Sequence, residues 1–245
     1  MVSKNQIKTI TSLQQKKYRK EHNLFFAEGV KVIGELLCSN FELYRLYTTD
    51  TVFKGVPKEK IEVVTEAELK KISAFSTPNT CLALFVIPNE KPIPDNVLIV
   101  ALDDVRDPGN LGTIIRLCDW FGVAHLVCSE QCVDVYNPKV VQATMGSLAR
   151  VNVIYTNLRN YLDKSPLPIY GTFMDGQNVY NQTLPENGII VMGNEANGIS
   201  AEIEAKVGHR IAIPRFGSLQ QTESLNVATA AAIVLSEFRR NSSGT

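Results

Sequence analysis

The second half of the chain alternates apolar strand-like runs with helix-like segments, and this alternation limits the folds open to it. Residues 97–102 (VLIVAL) are apolar without a break. Such a run suits a strand covered on both faces, as in a parallel sheet flanked by helices. Strand patterns recur at 124–128, 151–155, 169–173, 189–192 and 209–213, with helical patterns between them at 113–121, 138–148, 158–164 and 201–206. Pro138 suits the first turn of its helix, and Ser200 stands where it would cap the 201–206 helix. This order predicts an α/β domain with a largely parallel sheet. Residues 226–238 (NVATAAAIVLSEF) are apolar or small nearly all round, which predicts a helix packed internally and contributing to a subunit interface.

Upstream lies a smaller α/β unit, with helices expected at 12–21, 30–37 and 66–72, and strands from Phe25 and at 44–48, 61–64 and 82–86. Residues 87–96 (IPNEKPIPDN) carry three prolines and three charges and read as a linker. The expected domains are therefore 1–90 and 97–245. An apolar content of 44% suffices for a core, and no apolar run approaches the ~18 residues of a membrane span. The N-terminus is basic but lacks the apolar stretch of a secretion signal, and the five cysteines include no CxxC pair. The expectation is a cytoplasmic protein with reduced, buried thiols and neither a metal nor a membrane partner. His22, His125 and His209 are scattered and suggest no catalytic or metal set. Net charge is zero, yet residues 1–31 hold seven Lys or Arg against two Glu, a block that suits phosphate contacts or a solvated helix face.

Three segments carry the chemistry: 103–116 (DDVRDPGNLGTIIR), 192–200 (MGNEANGIS) and 213–227 (IPRFGSLQQTESLNV). Each follows an apolar strand and enters a loop rich in Gly, Asn and acid or hydroxyl groups. Glycine lets a ligand approach the backbone closely. Ligands of parallel sheets bind outside the carboxyl ends of the strands, so the three loops are expected to form one polar pocket with one Arg, one Glu and two Asn. If the helix starts at Gly112 or Thr113, Asn110 lies in the loop before it and Arg116 one turn inside, near a helix entrance that favours anions. Both residues would equally suit a plain turn and a surface helix. Glu195 could pair with an Arg, bind a ligand, act as a base or cap the next helix; Ser224 and Asn226 could contact a ligand or only cap the last helix. The glycine spacing is not GxGxxG and no Lys-Ser/Thr follows, which argues against NAD and ATP.

Taken together, Asn110-x-Gly112-x-x-x-Arg116, Gly193-x-Glu195-x-x-Gly198 and Ile213-Pro214…Ser224-Leu225-Asn226 resemble the three motifs of the SpoU/TrmH family of RNA ribose methyltransferases. Asn137-Pro138-Lys139 through Met145-Gly146-Ser147 looks like a further family segment. Phe26-Ala27-Glu28-Gly29 is similar to part of the small ribosomal-protein-like substrate-binding domain that often precedes the catalytic one. The resemblance implies a SPOUT-class domain with a trefoil knot near its C-terminal end, a homodimer, and S-adenosylmethionine as methyl donor. The reaction it implies is methylation of a ribose 2′-hydroxyl in RNA, with rRNA favoured over tRNA. It places catalytic roles on Asn110, Arg116, Glu195, Ser224 and Asn226, and cofactor contacts on Thr172, Gly193, Ile213 and Leu225. Two residues depart from the family pattern. Ala196 stands where Gly is frequent, a strain if its φ is positive, and Arg215 replaces an apolar residue. The other readings are a non-catalytic RNA-binding or ribosome-assembly protein on the same fold, and a small-molecule enzyme of the doubly wound class.

Overall fold

A computed structural model describes residues 1–50, 53–217 and 224–242. The middle of the third segment, residues 218–223, lies outside the described residues. The chain divides into two compact units, 1–89 with 134–150, and 90–133 with 151–245. Residues 134–150, read from the sequence as part of the second half, thus cluster with the first unit.

In the first unit, β1 (Leu24–Glu28), β4 (Cys81–Val86), β2 (Leu43–Thr48) and β3 (Ile61–Val63) form a sheet in the order β1-β4-β2-β3. Only the β2–β3 pair is parallel. All five residues of β1 are buried, so the strand is covered on both faces. One face packs Leu24, Phe26, Leu82 and Leu84 with residues of α1 (Lys4–Ser12) and α4 (Glu66–Ile72). On the other, Phe25 stacks near Phe85 (5.7 Å) and Tyr136 (4.7 Å), beside the buried face of α3 (Val30–Leu37).

The helix expected at 12–21 begins only at Lys16, as α2 (Lys16–His22), and a helix that was not expected, α1, precedes it. A capping box starts α1 early: Ser3 Oγ accepts from Gln6 N–H, and Gln6 Oε1 accepts from Ser3 N–H. Arg19, one of the seven cations of the basic block, is buried and bonded to Asp134 and to the Leu13 and Gln14 carbonyls, so it is unavailable to phosphate.

The second unit holds six strands, all parallel: β5 (Leu98–Leu102), β6 (His125–Ser129), β7 (Asn152–Thr156), β8 (Ile169–Asn178), β9 (Gly188–Met192) and β10 (His209–Ala212). Their order is β10-β8-β9-β5-β6-β7. α7 (Leu158–Lys164) and α8 (Ala201–Glu204) seal one face through Leu158, Leu162 and Ile203, joined by Ile199 from the loop before α8, packed on Ile99, Val127 and Val191. α5 (Pro108–Trp120) and α9 (Val227–Arg239) pack on each other. α9 buries Val227, Ala228, Ala231, Val234, Leu235 and Phe238, as its composition predicted.

The helix expected at 138–148 stops early. α6 covers Pro138–Ala143, capped by Asn137, and the chain turns through Met145 (φ 51) and Gly146 (φ 100). A Cβ on Gly146 would lie 2.6 Å from the Cβ of Glu35, so glycine serves both the turn and the close packing there. All five cysteines are free, and four are buried.

Candidate active site

β5 and β9 lie side by side at the centre of the sheet, and the chain leaves them in opposite directions across it: β6 and β7 lie beyond β5, β8 and β10 beyond β9. This is a topological switch point, where the loops after adjacent strands splay and leave a crevice. The first and second motif segments begin there. Asp103 N–H donates to Met192 O (2.9 Å), and the half-turned backbone at Asp104 (φ 59) is held by Ser129 Oγ, which accepts from Asp104 N–H (2.9 Å).

The Gly193–Ser200 loop is braced from both sides. The buried Asp103 carboxylate accepts from Ser200 N–H (2.7 Å). Asn194 Nδ2 donates to Asp104 O (2.7 Å), and its Oδ1 accepts from Ala196 and Asn197 N–H. Asn194 and Gly198 pair through both backbone groups (2.9 and 2.8 Å). A Cβ on Gly193 would lie 2.2 Å from the carbonyl carbon of Gly198, so only glycine permits this closure. The positive φ in the loop belongs to Gly198 (68°) and Ala196 avoids that region, so the strain anticipated at Ala196 is absent. Ser200 precedes α8 but makes no side-chain cap; its N–H is instead the anchor to Asp103.

Along the middle of β8 and at the carboxyl ends of β9 and β10, against the first turns of α9, lies a cavity of about 820 Å³. Thr172, Gly193, Ile213 and Leu225 line it, as do Glu195 and Ser224. Sequence reasoning missed Phe173, Met174, Phe216 and Val227 in its wall. Phe173 carries the guanidinium of Arg210 3.6 Å from its ring centre, and Arg210 in turn pairs with Asp175 and Glu204. Arg215 also lines the cavity.

The first segment contributes differently from expectation. α5 begins at Pro108 with Asp107 as its N-cap (Oδ1 to Asn110 N–H, 2.8 Å), so Asn110 lies in the first turn of the helix and not in a loop before it. From there Asn110 Nδ2 donates to Glu195 Oε1 (2.5 Å), and its Oδ1 accepts from Asn226 Nδ2 (2.9 Å). Asn226 Oδ1 accepts from Ala228 and Thr229 N–H as the N-cap of α9. Three motifs thus meet in one hydrogen-bonded chain, with one residue from each. Arg116 is not in it. It is exposed two turns along α5, does not line the cavity, and makes no hydrogen bond or ion pair among the described residues.

The alternatives left open by the sequence are therefore resolved unevenly. Asn226 is both a cap and a network member; Glu195 caps nothing and is held by Asn110. Asp103, Asp104 and Asn194 were overlooked as positioning groups, though the acid pair at a strand's carboxyl end was a signal. Among the described residues no cluster of His, Cys, Asp or Glu could hold a metal ion, and no helix is long and apolar enough to cross a membrane.

A doubly wound parallel domain with a glycine-closed cavity at the carboxyl edge of its sheet defines the class of α/β proteins whose strand-end loops form a small-molecule pocket. Comparison with known proteins narrows this. A profile of the SpoU rRNA methylase family matches residues 97–236, and an MRM3-like substrate-binding domain matches residues 4–83. The chain belongs to the SpoU family. It is 30% identical to the 23S rRNA (guanosine(2553)-2′-O)-methyltransferase RlmP of Bacillus subtilis, over 97% of each protein. Among solved structures it resembles a TrmH-family protein of Porphyromonas gingivalis (40% identity, TM-score 0.91, covering 99% of this chain and 100% of that one). It also resembles an AdoMet-bound rRNA methyltransferase of Sinorhizobium meliloti (28% identity, TM-score 0.86, covering 100% and 98%).

Proposed function

We propose that this protein is an enzyme that transfers a methyl group from S-adenosylmethionine to a ribose 2′-hydroxyl of structured RNA, rRNA in preference to tRNA. The observation that carries this is the Asn110–Glu195–Asn226 network at the mouth of a cavity lined by Thr172, Gly193, Ile213 and Leu225, in a chain of this family. The cavity fits the cofactor. Its volume of about 820 Å³ lies within the usual range of roughly 300–1,000 Å³ for small-molecule sites. Its wall mixes apolar side chains with backbone exposed at Gly193 and Gly198, and the Glu195 carboxylate gives a cationic ligand an anionic edge.

When bound, the cofactor supplies a methyl group activated by its positive sulfur, open to in-line attack by the sugar oxygen. The chain's own residues supply position. Backbone atoms of β8, of the 193–200 loop and of the segment around Ile213 and Leu225 hold the donor, and the network fixes the carboxylate and the start of α9 in one geometry, which is where much of the rate of a displacement arises. A guanidinium keeps its proton too firmly to act as an ordinary base. Arg116 is assigned the clamping of a neighbouring phosphate and the stabilisation of charge developing on the sugar oxygen.

A homodimer would bring Arg116 to that task. Arg116 and Trp120 (84% exposed) lie one turn apart on α5, which packs against α9. An isologous contact across these helices would carry Arg116 of one protomer towards the cavity of the other. The trefoil knot that the resemblance implies belongs to the same reading. So does a cytoplasmic location, which the free, mostly buried cysteines suit.

Incubation with methyl-labelled cofactor and unmodified rRNA, followed by mapping of 2′-O-methyl sites, tests the activity; no incorporation despite cofactor binding in a calorimeter would leave a non-catalytic RNA-binding protein. Mixing Arg116→Ala with Asn226→Ala protomers tests the shared site. Random exchange should restore about a quarter of wild-type turnover if the two residues act across the dimer, and essentially none if both act within one chain.

A further inference from the structure

The first unit contains a second cavity, of about 450 Å³, unrelated to the methyl-transfer cavity. It opens between α1, the C-terminal end of α2 and the strand ends at Leu24, Tyr44 and Val86. Its floor is apolar, formed by the buried Ile10, Leu24 and Leu84. At the back, Tyr47 is buried and its hydroxyl accepts from Gln6 Nε2 (3.5 Å).

The rim is different in kind. Asn5, Thr9, His22, Asn23 and Tyr44 converge on it, and no side-chain hydrogen bond of any of the five is present among the described residues. Tyr44 is 54% exposed and free of ring contacts, although it stands in a strand whose other aromatic, Tyr47, is buried. Asn5 and Thr9 are one turn apart on α1, which aligns their side chains on one face. Asn23 sits in the left-handed conformation (φ 52) that ends α2.

An apolar floor, an exposed ring and a rim of unpaired amides match the needs of one unstacked nucleobase: a flat hydrophobic seat, a stacking partner, and donors and acceptors for its edge. The surrounding charge suits a phosphate chain. Lys4 and Lys8 flank Asn5 and Thr9 on α1, Lys20 precedes His22 and Asn23 on α2, and all three are exposed. Of the acids in this part of the unit, Glu62 is occupied by Gln6 Nε2 (2.9 Å), and Glu21 and Glu42 are exposed.

We propose that this cavity captures a single unpaired nucleotide of the RNA substrate, stacked on Tyr44 and read by Asn5 and Asn23, as a recognition site separate from the methylated ribose. The proposal rests on the reading of an RNA substrate but not on methyl transfer.

The full-length protein is titrated into fluorescein-labelled 12-nucleotide homopolymers of A, C, G and U, followed by anisotropy, with cofactor binding measured separately by calorimetry. The wild type should prefer one base. Tyr44→Ala should weaken binding of that oligonucleotide by about tenfold, the scale of one lost stacking contact, while Tyr44→Phe stays within about twofold. Asn5→Ala should flatten the base preference, a readout that a purely structural role would not move. Cofactor affinity should be unchanged in all three. Equal affinity of Tyr44→Ala and wild type for every homopolymer would overturn the proposal, as would base preference persisting in Asn5→Ala and Asn23→Ala alike. Were methyl transfer absent while Tyr44-dependent, base-selective binding remained, the enzymatic reading would fall and this site would stand.

Discussion

Asn226 separates a network from a cap. As an N-cap alone, Asn, Asp and Ser are nearly equivalent, so Asn226→Asp should cost no more than about 0.5 kcal/mol of stability. The network demands more. Asn226 Oδ1 is committed to the N–H groups of Ala228 and Thr229, so its Nδ2 must face Asn110, and that fixes Asn110 with its own Nδ2 towards Glu195. An Asp at 226 keeps the cap but offers Asn110 only an acceptor. Asn110 must then turn its amide over, presenting Oδ1 to the Glu195 carboxylate across a contact now 2.5 Å long. A hydrogen bond to a charged group contributes about 1.5–3 kcal/mol, and solvent at this exposed site screens it towards roughly 1–1.5 kcal/mol. The expected loss is therefore roughly five- to tenfold in kcat/KM, with a thermal midpoint close to wild type. Initial rates of methyl transfer to unmodified rRNA, with thermal unfolding in parallel, measure both. A fully active Asn226→Asp variant would show that the amide's orientation is immaterial and that Asn226 is only a cap.

The closure of the 193–200 loop gives a second test. Gly193→Ala places a methyl 2.2 Å from backbone, which overpacking of about 1–3 kcal/mol must relieve by opening the Asn194–Gly198 pair. Calorimetry should find cofactor binding lost, whereas Gly208→Ala, whose methyl would meet nothing nearer than 3.8 Å, should bind normally. Glu28 gives a pH signature. Burial raises its carboxyl pKa, against the lowering effect of hydrogen bonds from the Ser73 hydroxyl and the Ala74 N–H. Because the folded pKa lies above the unfolded one, the protonated form favours folding: this contribution is complete below the unfolded pKa of about 4.3 and is lost as pH rises through the folded value. The urea midpoint should therefore fall with rising pH across the weakly acidic range more in wild type than in Glu28→Gln, and parallel curves for the two would refute the assignment.

Much of the fold was readable because its signals are local. The unbroken apolar run before Asp103 is a strand buried at every position, as its pattern suggested, and the helices at 30–37, 66–72 and 158–164 appear where periodicity put them. The errors share one cause, a residue serving two roles. Pro108-Gly109-Asn110 has turn chemistry, but Asp107 ahead of Pro108 is equally an N-cap before a first-turn proline, and the helix reading prevails because Leu111, Ile114 and Ile115 bury their side chains. Gly146 could have been tolerated in a helix; the Glu35 side chain packed where its Cβ would lie makes it a turn. Neither competition can be decided without the tertiary neighbour.

The shift of four to five residues in the start of α5 reorganises the site. With Asn110 in the first turn of the helix, its side chain reaches the Glu195 loop and the α9 cap, so the first motif buttresses the cavity from outside while β8 supplies the wall it was expected to form. Arg116 then falls two turns further along, exposed and outside the lining of its own cavity. Within one chain the motif would be divided against itself, with its asparagine at the site and its arginine on open surface. The proposed dimer, with two chains joined across α5 and α9, would remove that contradiction, because exposed Trp120 and Arg116 lie one turn apart on α5. Trp120→Glu should accordingly yield monomers in light scattering and abolish methyl transfer while leaving cofactor affinity intact, and an active monomer would return Arg116 to the role of an ordinary surface residue.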